Sequence, residues 1–384
     1  MKMQARALFT AASVMLLGIL PATAQTAPKP LMAEDVFSNV QELKGIPVNQ
    51  FMETMGFFSA ALGYNCTNCH GEEVQGNWAK YADDFPVKNT AVRMIRIVNS
   101  INKNLFGGAQ AVTCYTCHRG TPVPKVVPSL VEQYTAPPAD DPNEVQLSAR
   151  APKIPTAEDI LNRYLEAVGG EKKVAALTSY AATGHYDGFD SYHGQVPANP
   201  YAKVTGERGL VAHTTNGDSV TNYDGHNAWI MGPDRPISVL QLVPGGDFDG
   251  VLMDSALAFP GRLKSSLTDL RSGFPATKID NRLMNVVQGM IGGSRVKLFF
   301  DKETGLLTRM FRYSKTIVGS VPVQVDFSDY REVAGVKLPF KWLNTWTDGQ
   351  STYQWDEMKP NVAIDPASYG KPVPPEHPVI KQLR

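Results

Sequence analysis

Apolar side chains in residues 47–62, PVNQFMETMGFFSAAL, recur at Phe51, Met55, Phe58 and Leu62, and these steps of four, three and four make one helical stripe. Pro47 suits the first turn of such a helix and Gly63 its stop. A second helix is expected to start after Asn89 or Thr90 as N-cap and to run through Asn104, with Val92, Ile95, Val98 and Ile101 along one side and Gly107-Gly108 as terminator. Thr156-Ala157-Glu158-Asp159 has the form of a capping box. The helix it opens carries Ile160, Leu161, Tyr164, Leu165 and Val168 and ends at Gly169-Gly170; residues 172–177 are expected to form a further short helix. Beyond them the period changes to two. Val321, Val323, Val325 and Phe327 alternate with Pro322, Gln324, Asp326 and Ser328. Residues 295–300 and 306–313 predict a strand pair joined across 301–305, and 336–347 and 351–358 a second pair around Asp348-Gly349. One-sided alternation with hairpin turns points to a curved antiparallel sheet with helices on one face.

Between the two patterns, residues 121–155 are rich in proline (Pro122, Pro124, Pro128, Pro137, Pro138, Pro142, Pro152 and Pro155). Such a segment is extended and semi-rigid, a spacer or a strap laid over the preceding helices, and it marks a domain boundary. At the start of the chain Lys2 and Arg6 precede an apolar run to Leu20, and Ala22-Thr23-Ala24 is a small-x-small cleavage pattern. This predicts a secretory signal peptide over 1–24 and a mature, periplasmic protein beginning at Gln25. The run is short for an uncleaved anchor. Lys plus Arg equals Asp plus Glu at 37 each, so no basic field favours nucleic acid as a partner.

The chemistry sits in the cysteines. All four fall into two C-x-x-C-H runs, Cys66-Thr67-Asn68-Cys69-His70 and Cys114-Tyr115-Thr116-Cys117-His118. Two thiols at this spacing form thioethers to the vinyl groups of one haem, and the histidine that follows ligates its iron. Cys69 and Cys114 stand too far apart for the roughly 15–20-residue spacing of four-cysteine zinc sites, and a thioredoxin-type pair would need a βαβ context. Structural disulfides are the remaining alternative for an exported chain. Each haem needs a sixth ligand if it only shuttles electrons, and a methionine thioether raises the potential. Between leader and linker the methionines are Met32, Met52, Met55 and Met94. Met55 and Met94 lie on the two helices ahead of the motifs and are the preferred ligands, with Met52 the rival to Met55. Arg93, Arg96, Lys103 and Arg119 cluster near the second motif, as partners for haem propionates or as a solvated helix face. His185, His193, His213, His226 and His377 all follow the linker, where surface or structural roles are the simpler assignment.

The expected architecture is therefore multi-domain. A small, mostly α di-haem cytochrome c domain (25–120) precedes a Pro-rich linker (121–155) and an α+β domain with a curved antiparallel sheet (156–384). Residues 36–124, in particular VFSNVQELKGIPVNQFMETMGFFSAALGYNCTNCH and RMIRIVNSIN followed by VTCYTCHRGTPVP, resemble the cytochrome c subunit of the bacterial photosynthetic reaction centre. The resemblance implies two covalently attached haems c, covalent roles for Cys66, Cys69, Cys114 and Cys117, and axial roles for His70, Met55, His118 and Met94. The chain departs from the family in having two motifs rather than four and in lacking a lipid-anchor cysteine. Residues 156–384, through DILNRYLEAVGG, FDKETGLLTRM and DYREVAGVKLPFKW, resemble the half-barrel of lipoprotein carrier and sorting proteins, which implies an apolar cavity that would take a lipid or quinone. The expected function is electron transfer with periplasmic or inner-membrane redox partners, by a carrier more than an enzyme. The alternatives are a di-haem peroxidase-like enzyme and a lipid- or quinone-binding protein with a redox domain.

Overall fold

The computed structural model describes residues 29–136, 141–147, 154–192, 194–273 and 277–376. The leader expected at 1–24, His193, His377 and Pro137, Pro138 and Pro152 lie outside them. Among the described residues no helix is long and apolar enough to cross a membrane.

The first part of the chain is helical. A short helix α1 (Ala33–Val36) precedes α2 (Val48–Leu62), α3 (Cys66–His70), α4 (Pro86–Leu105), α5 (Cys114–His118) and the exposed α6 (Leu130–Tyr134). Pro47 is the N-cap of α2, and Gly63 closes it in the left-handed conformation with its N–H donated to the Ser59 carbonyl. Helix α4 begins earlier than the cap-based expectation at Asn89 or Thr90. Pro86 takes its first position, where the missing N–H costs nothing, and the Thr90 hydroxyl donates within the helix to the Pro86 carbonyl at 3.0 Å.

The second part is a sheet with helices against it. Among the described residues, helices α7 (Ala157–Ala167), α8 (Glu171–Ala176) and, between strands, α9 (Gly246–Leu257) accompany fourteen strands. These are β1 (Ser179–Asp187), β2 (Val196–Lys203), β3 (Arg208–Thr214), β4 (Gly217–Tyr223), β5 (Ala228–Met231), β6 (Val239–Gln241) and β7 (Thr268–Ser272). They continue as β8 (Thr277–Ile279), β9 (Arg282–Ile291), β10 (Ser294–Asp301), β11 (Leu307–Lys315), β12 (Ser320–Val333), β13 (Val336–Trp346) and β14 (Gly349–Pro360). The order is β6-β5-β4-β3-β2-β1-β14-β13-β12-β11-β10-β9-β7, with β8 also on β9, so the sheet is open and two antiparallel meanders meet where β1 pairs with β14. The capping box at Thr156 forms as expected, through Asp159. The strand pairs expected at 295–313 and 336–358 are β10–β11 and β13–β14.

One face of the sheet is packed by α7 and α9, where Ile160, Leu161, Tyr164, Met253 and Leu257 meet Val296, Leu298, Phe300, Met310 and Trp355. The opposite face at β9–β11 is also covered, so β10 is buried almost without interruption although Ser294, Arg295, Lys297 and Asp301 are polar. Residues 141–147 lie there rather than over the helices. The buried Lys297 ammonium donates to the carbonyls of Asn143 and Val145 at 2.6 and 2.7 Å, and Val145 and Leu147 pack on Phe299 and Phe311.

The two parts touch along two apolar seams. Val48 is buried with Tyr223, Ile230, Leu240 and Leu242 of the sheet and Val251 of α9. Val318 and Val321, at the β11–β12 turn, are buried with Phe57, Ala61 and Ile95. Beside the first seam Glu53 of α2 presses on the start of α9. Burial, and next the charge of Asp247, pushes its carboxyl up to about 9.

Candidate functional site

Each C-x-x-C-H run is a single helical turn held at its start by the residues before and within it. In the first, Asn65 Oδ1 accepts from the Asn68 N–H at 3.1 Å while Asn68 Oδ1 accepts from the Asn65 N–H at 2.8 Å. In the second, the Thr113 N–H donates to Thr116 Oγ1 at 3.0 Å, while the Thr116 N–H goes to the Thr113 main-chain carbonyl at 3.1 Å. In both turns the helical spacing brings the two cysteines and the histidine onto one side. All four thiols are free, so the disulfide alternative is not the arrangement found.

The first run opens on an apolar cavity. Phe51, Met52, Met55, Phe58 and Leu62 of α2 form one wall, Val92 and Ile95 of α4 another, and Cys66, Cys69 and His70 the floor, with Trp78 and Tyr81 beside it. His70 Nδ1 lies 3.1 Å from the Tyr81 carbonyl. A carbonyl only accepts, so Nδ1 carries the proton and Nε2 keeps its lone pair, the tautomer and second contact that a metal-bound histidine needs. Burial, and next the nearby Lys88 charge, lowers the His70 pKa, which keeps the ring neutral near pH 7. Lys88 also fixes the turn that holds His70, donating to the carbonyls of Tyr81, Ala82 and Asp83 at 2.9, 3.1 and 3.1 Å. The Tyr81 ring stacks on Trp78 at 4.8 Å and meets the His70 ring at 4.9 Å. The Cys69 thiol is pushed up, first by burial and then by the Cys66 charge.

The second run repeats the histidine device with other atoms: His118 Nδ1 lies 3.0 Å from the Thr121 carbonyl. Cys114 lines a second cavity with Ile95, Val98, Asn99, Asn102 and Lys103 of α4, and burial pushes its thiol up. Ile95 therefore stands in the wall of both cavities. Buried Asn102 ties the segment before the second run to α4, donating to the Val112 carbonyl at 2.8 Å and accepting its N–H at 3.0 Å. Met94 is half-buried on α4, one turn ahead of Val98, and does not line the second cavity; Met52 and Met55 both line the first. Of the basic residues near the second run, Lys103 lines the cavity, Arg96 pairs with Glu42 at 2.7 Å, Arg93 donates to Thr90 Oγ1 at 2.9 Å, and Arg119 closes α5 in the left-handed conformation.

Residues 8–181 match the family model described as photosynthetic reaction centre cytochrome C subunit. The N-terminal part of this chain resembles that family. It is 41% identical over 110 residues to the photosynthetic reaction center cytochrome c subunit of Thermochromatium tepidum, a match covering 28% of this chain and 25% of that one. To the subunit of the same name from Roseobacter denitrificans it is 35% identical over 104 residues, covering 25% and 27%. The chain thus spans about a quarter of the length of these curated relatives. Over 57% of its length it is similar to a LolA superfamily protein from Nitrosomonas europaea, with a TM-score of 0.38 and 11% identity, covering 99% of that chain. Over 54% it is similar to a putative outer membrane lipoprotein-sorting protein domain from Vibrio parahaemolyticus, with a TM-score of 0.37 and 10% identity, covering 95%.

Within the cytochrome-like part, the sequence motifs point to the cysteines and histidines; the first turn lines its cavity with Cys66, Cys69 and His70, whereas the second contributes Cys114 alone, with Cys117 and His118 outside the lining. Four contributors carry no such signal. Tyr81 acts through its main-chain oxygen, Asn102 is one more polar residue on an amphipathic helix, and Ile317 and Val318 belong to a hairpin some 200 residues further on that lines the second cavity.

Proposed function

We propose that this chain is an exported di-haem c-type cytochrome that passes electrons between periplasmic or inner-membrane redox partners. Cys66 and Cys69 would hold one haem c and Cys114 and Cys117 the other; His70 with Met55, and His118 with Met94, would be the axial pairs. When bound, each haem supplies a one-electron centre. The protein's share is to attach it, to fix both imidazoles by Nδ1 to a main-chain carbonyl, and, at the first motif, to surround it with apolar side chains. The observation that carries this reading is the shared histidine arrangement: at both motifs Nδ1 is committed to a carbonyl, at 3.1 and 3.0 Å, and Nε2 is left for iron. The side chain of Ile95 in both cavity walls supports transfer between two adjacent centres within the chain.

The same reading takes 1–24 as a cleaved leader, 25–120 as the di-haem unit, 121–155 as the linker and 156–384 as a sheet domain. A C114S/C117S variant matured in a host that attaches haem c is expected to carry one haem by mass where the parent carries two. Two haems retained in the variant, or none in the parent, would overturn the assignment. Turnover with peroxide together with a five-coordinate high-spin signal would replace electron carriage by a peroxidase-like activity, because two His/Met-held irons would have no open position.

A further inference from the structure

The first motif is the one whose residues fit a haem: Cys66, Cys69 and His70 line a single apolar cavity with Met52 and Met55. The Tyr81 carbonyl that orients His70 there is shared. It accepts from His70 Nδ1 at 3.1 Å and from the Lys88 ammonium at 2.9 Å. Lys88 Nζ also donates to the Ala82 and Asp83 carbonyls, both at 3.1 Å. Three carbonyl acceptors match the three N–H donors of an ammonium, so the group is held charged and has none left for a haem propionate. The turn that carries these carbonyls is fixed from a second segment, where Asn39 Nδ2 donates to the Ala82 carbonyl at 2.9 Å and to Asp84 Oδ1 at 3.1 Å. The Asp83 carboxylate is taken by Lys80 at 3.0 Å. Capping the end of the short helical turn Trp78–Ala82 explains the bonds from Lys88 to Ala82 and Asp83. It does not require the Tyr81 carbonyl, which already has His70, nor a place for Lys88 in the cavity wall. At the second motif, no lysine or arginine among the described residues donates to the Thr121 carbonyl that receives His118.

Resting on the reading of Cys66, Cys69 and His70 as a haem c site, we propose that Lys88 is a positioning residue that raises the potential of the first haem, acting through the Tyr81 carbonyl and through its own charge. Both effects have the same sign. A carbonyl already bound to an ammonium is a weaker acceptor for the imidazole N–H, so His70 is the less basic ligand and stabilises oxidised iron less. An oxidised haem iron also carries one more positive charge than a reduced one. A cation held in the wall of an apolar cavity therefore disfavours the oxidised form.

The test is a spectroelectrochemical titration of the full, haem-loaded protein, reading the wave that C114S/C117S retains. Lys88→Met keeps the aliphatic stem without donors or charge, Lys88→Gln keeps a donor without the charge, and Lys88→Arg keeps both. The midpoint potential is expected to fall in Lys88→Met, to fall less in Lys88→Gln, and to hold in Lys88→Arg. In the reduced, diamagnetic protein the His70 Nδ1–H proton resonance should move downfield in Lys88→Met, as its bond to the Tyr81 carbonyl tightens. A merely loosened turn would move it the other way. Haem content per chain and far-ultraviolet circular dichroism serve as the folding control. Should Lys88→Met fail to take up haem, the fall in Lys88→Gln relative to Lys88→Arg carries the same decision. An unmoved or raised potential in Lys88→Met, an equal fall in all three variants, or an upfield His70 resonance would each overturn the proposal. A C66S/C69S variant that keeps as many haems as the parent would instead sink the reading beneath it.

Discussion

Single atoms set the chemistry of this chain. Two imidazoles separated in sequence are held through the same ring nitrogen by unrelated carbonyls, Tyr81 and Thr121. Two methionines three residues apart, Met52 and Met55, face the first cavity, so sequence spacing and cavity lining leave both in play and spectroscopy separates them. In the haem-loaded protein, Met55→Ala is expected to remove one of two methionine-to-iron charge-transfer bands in the far red and to lower one potential, whereas Met52→Ala keeps both bands. Loss of the band in Met52→Ala alone would reverse the assignment. Asn102 makes a different demand. Its amide satisfies both main-chain groups of Val112, and Asn102→Ala leaves them without those partners. The expected cost is about 1–3 kcal/mol, read as a lowered thermal midpoint.

At the scale of elements, the two motif-bearing turns are joined by a contact between glycines. Gly63 ends α2 at φ +64, and a Cβ there would stand 2.4 Å from the Gly120 carbonyl that follows the second motif; the Gly120 N–H donates to the Ala61 carbonyl at 3.0 Å. Left-handed backbone costs a non-glycine residue about 1–2 kcal/mol, and here steric overlap adds to it. Gly45, at φ +78 with open space around it, isolates the first effect. Gly63→Ala should therefore lower the thermal midpoint clearly more than Gly45→Ala, by circular dichroism. Equal losses would mean that the contact between the two runs contributes nothing. The local pattern foretold α2, α7 and the hairpins of the second meander, whose alternation is regular. It did not foretell β1–β6 or α9. Strand β2, VPANPYAK, carries Pro197 and Pro200, which normally argue against a strand. Pro197 is paired only with β1 and Pro200 only with β3, so each missing N–H falls where one ladder is interrupted. Helix α9, GDFDGVLMDSAL, starts on glycine without a side-chain cap and contains another, so it depends on packing rather than on propensity.

For the whole molecule, the helical and sheet parts share two buried seams, with Val48 among sheet and α9 residues and Val318 and Val321 among helical ones. Neither set is covered unless both parts are folded, so calorimetry of the protein should show one cooperative transition. Two well-separated transitions would mean that the seams are energetically minor. What the sequence determined by itself was local: the thiols and imidazoles of two C-x-x-C-H turns, the helices ahead of them and the regular strand pairs, because such features are written in neighbouring residues. The tertiary structure decided what neighbours cannot encode. It set the Tyr81 carbonyl against His70, which methionines face a cavity and how the proline-bearing strands pair. It also brought a turn from the far end of the chain against the second motif. A cavity wall needs only the right shape and polarity, and any part of a folded chain that reaches it will serve.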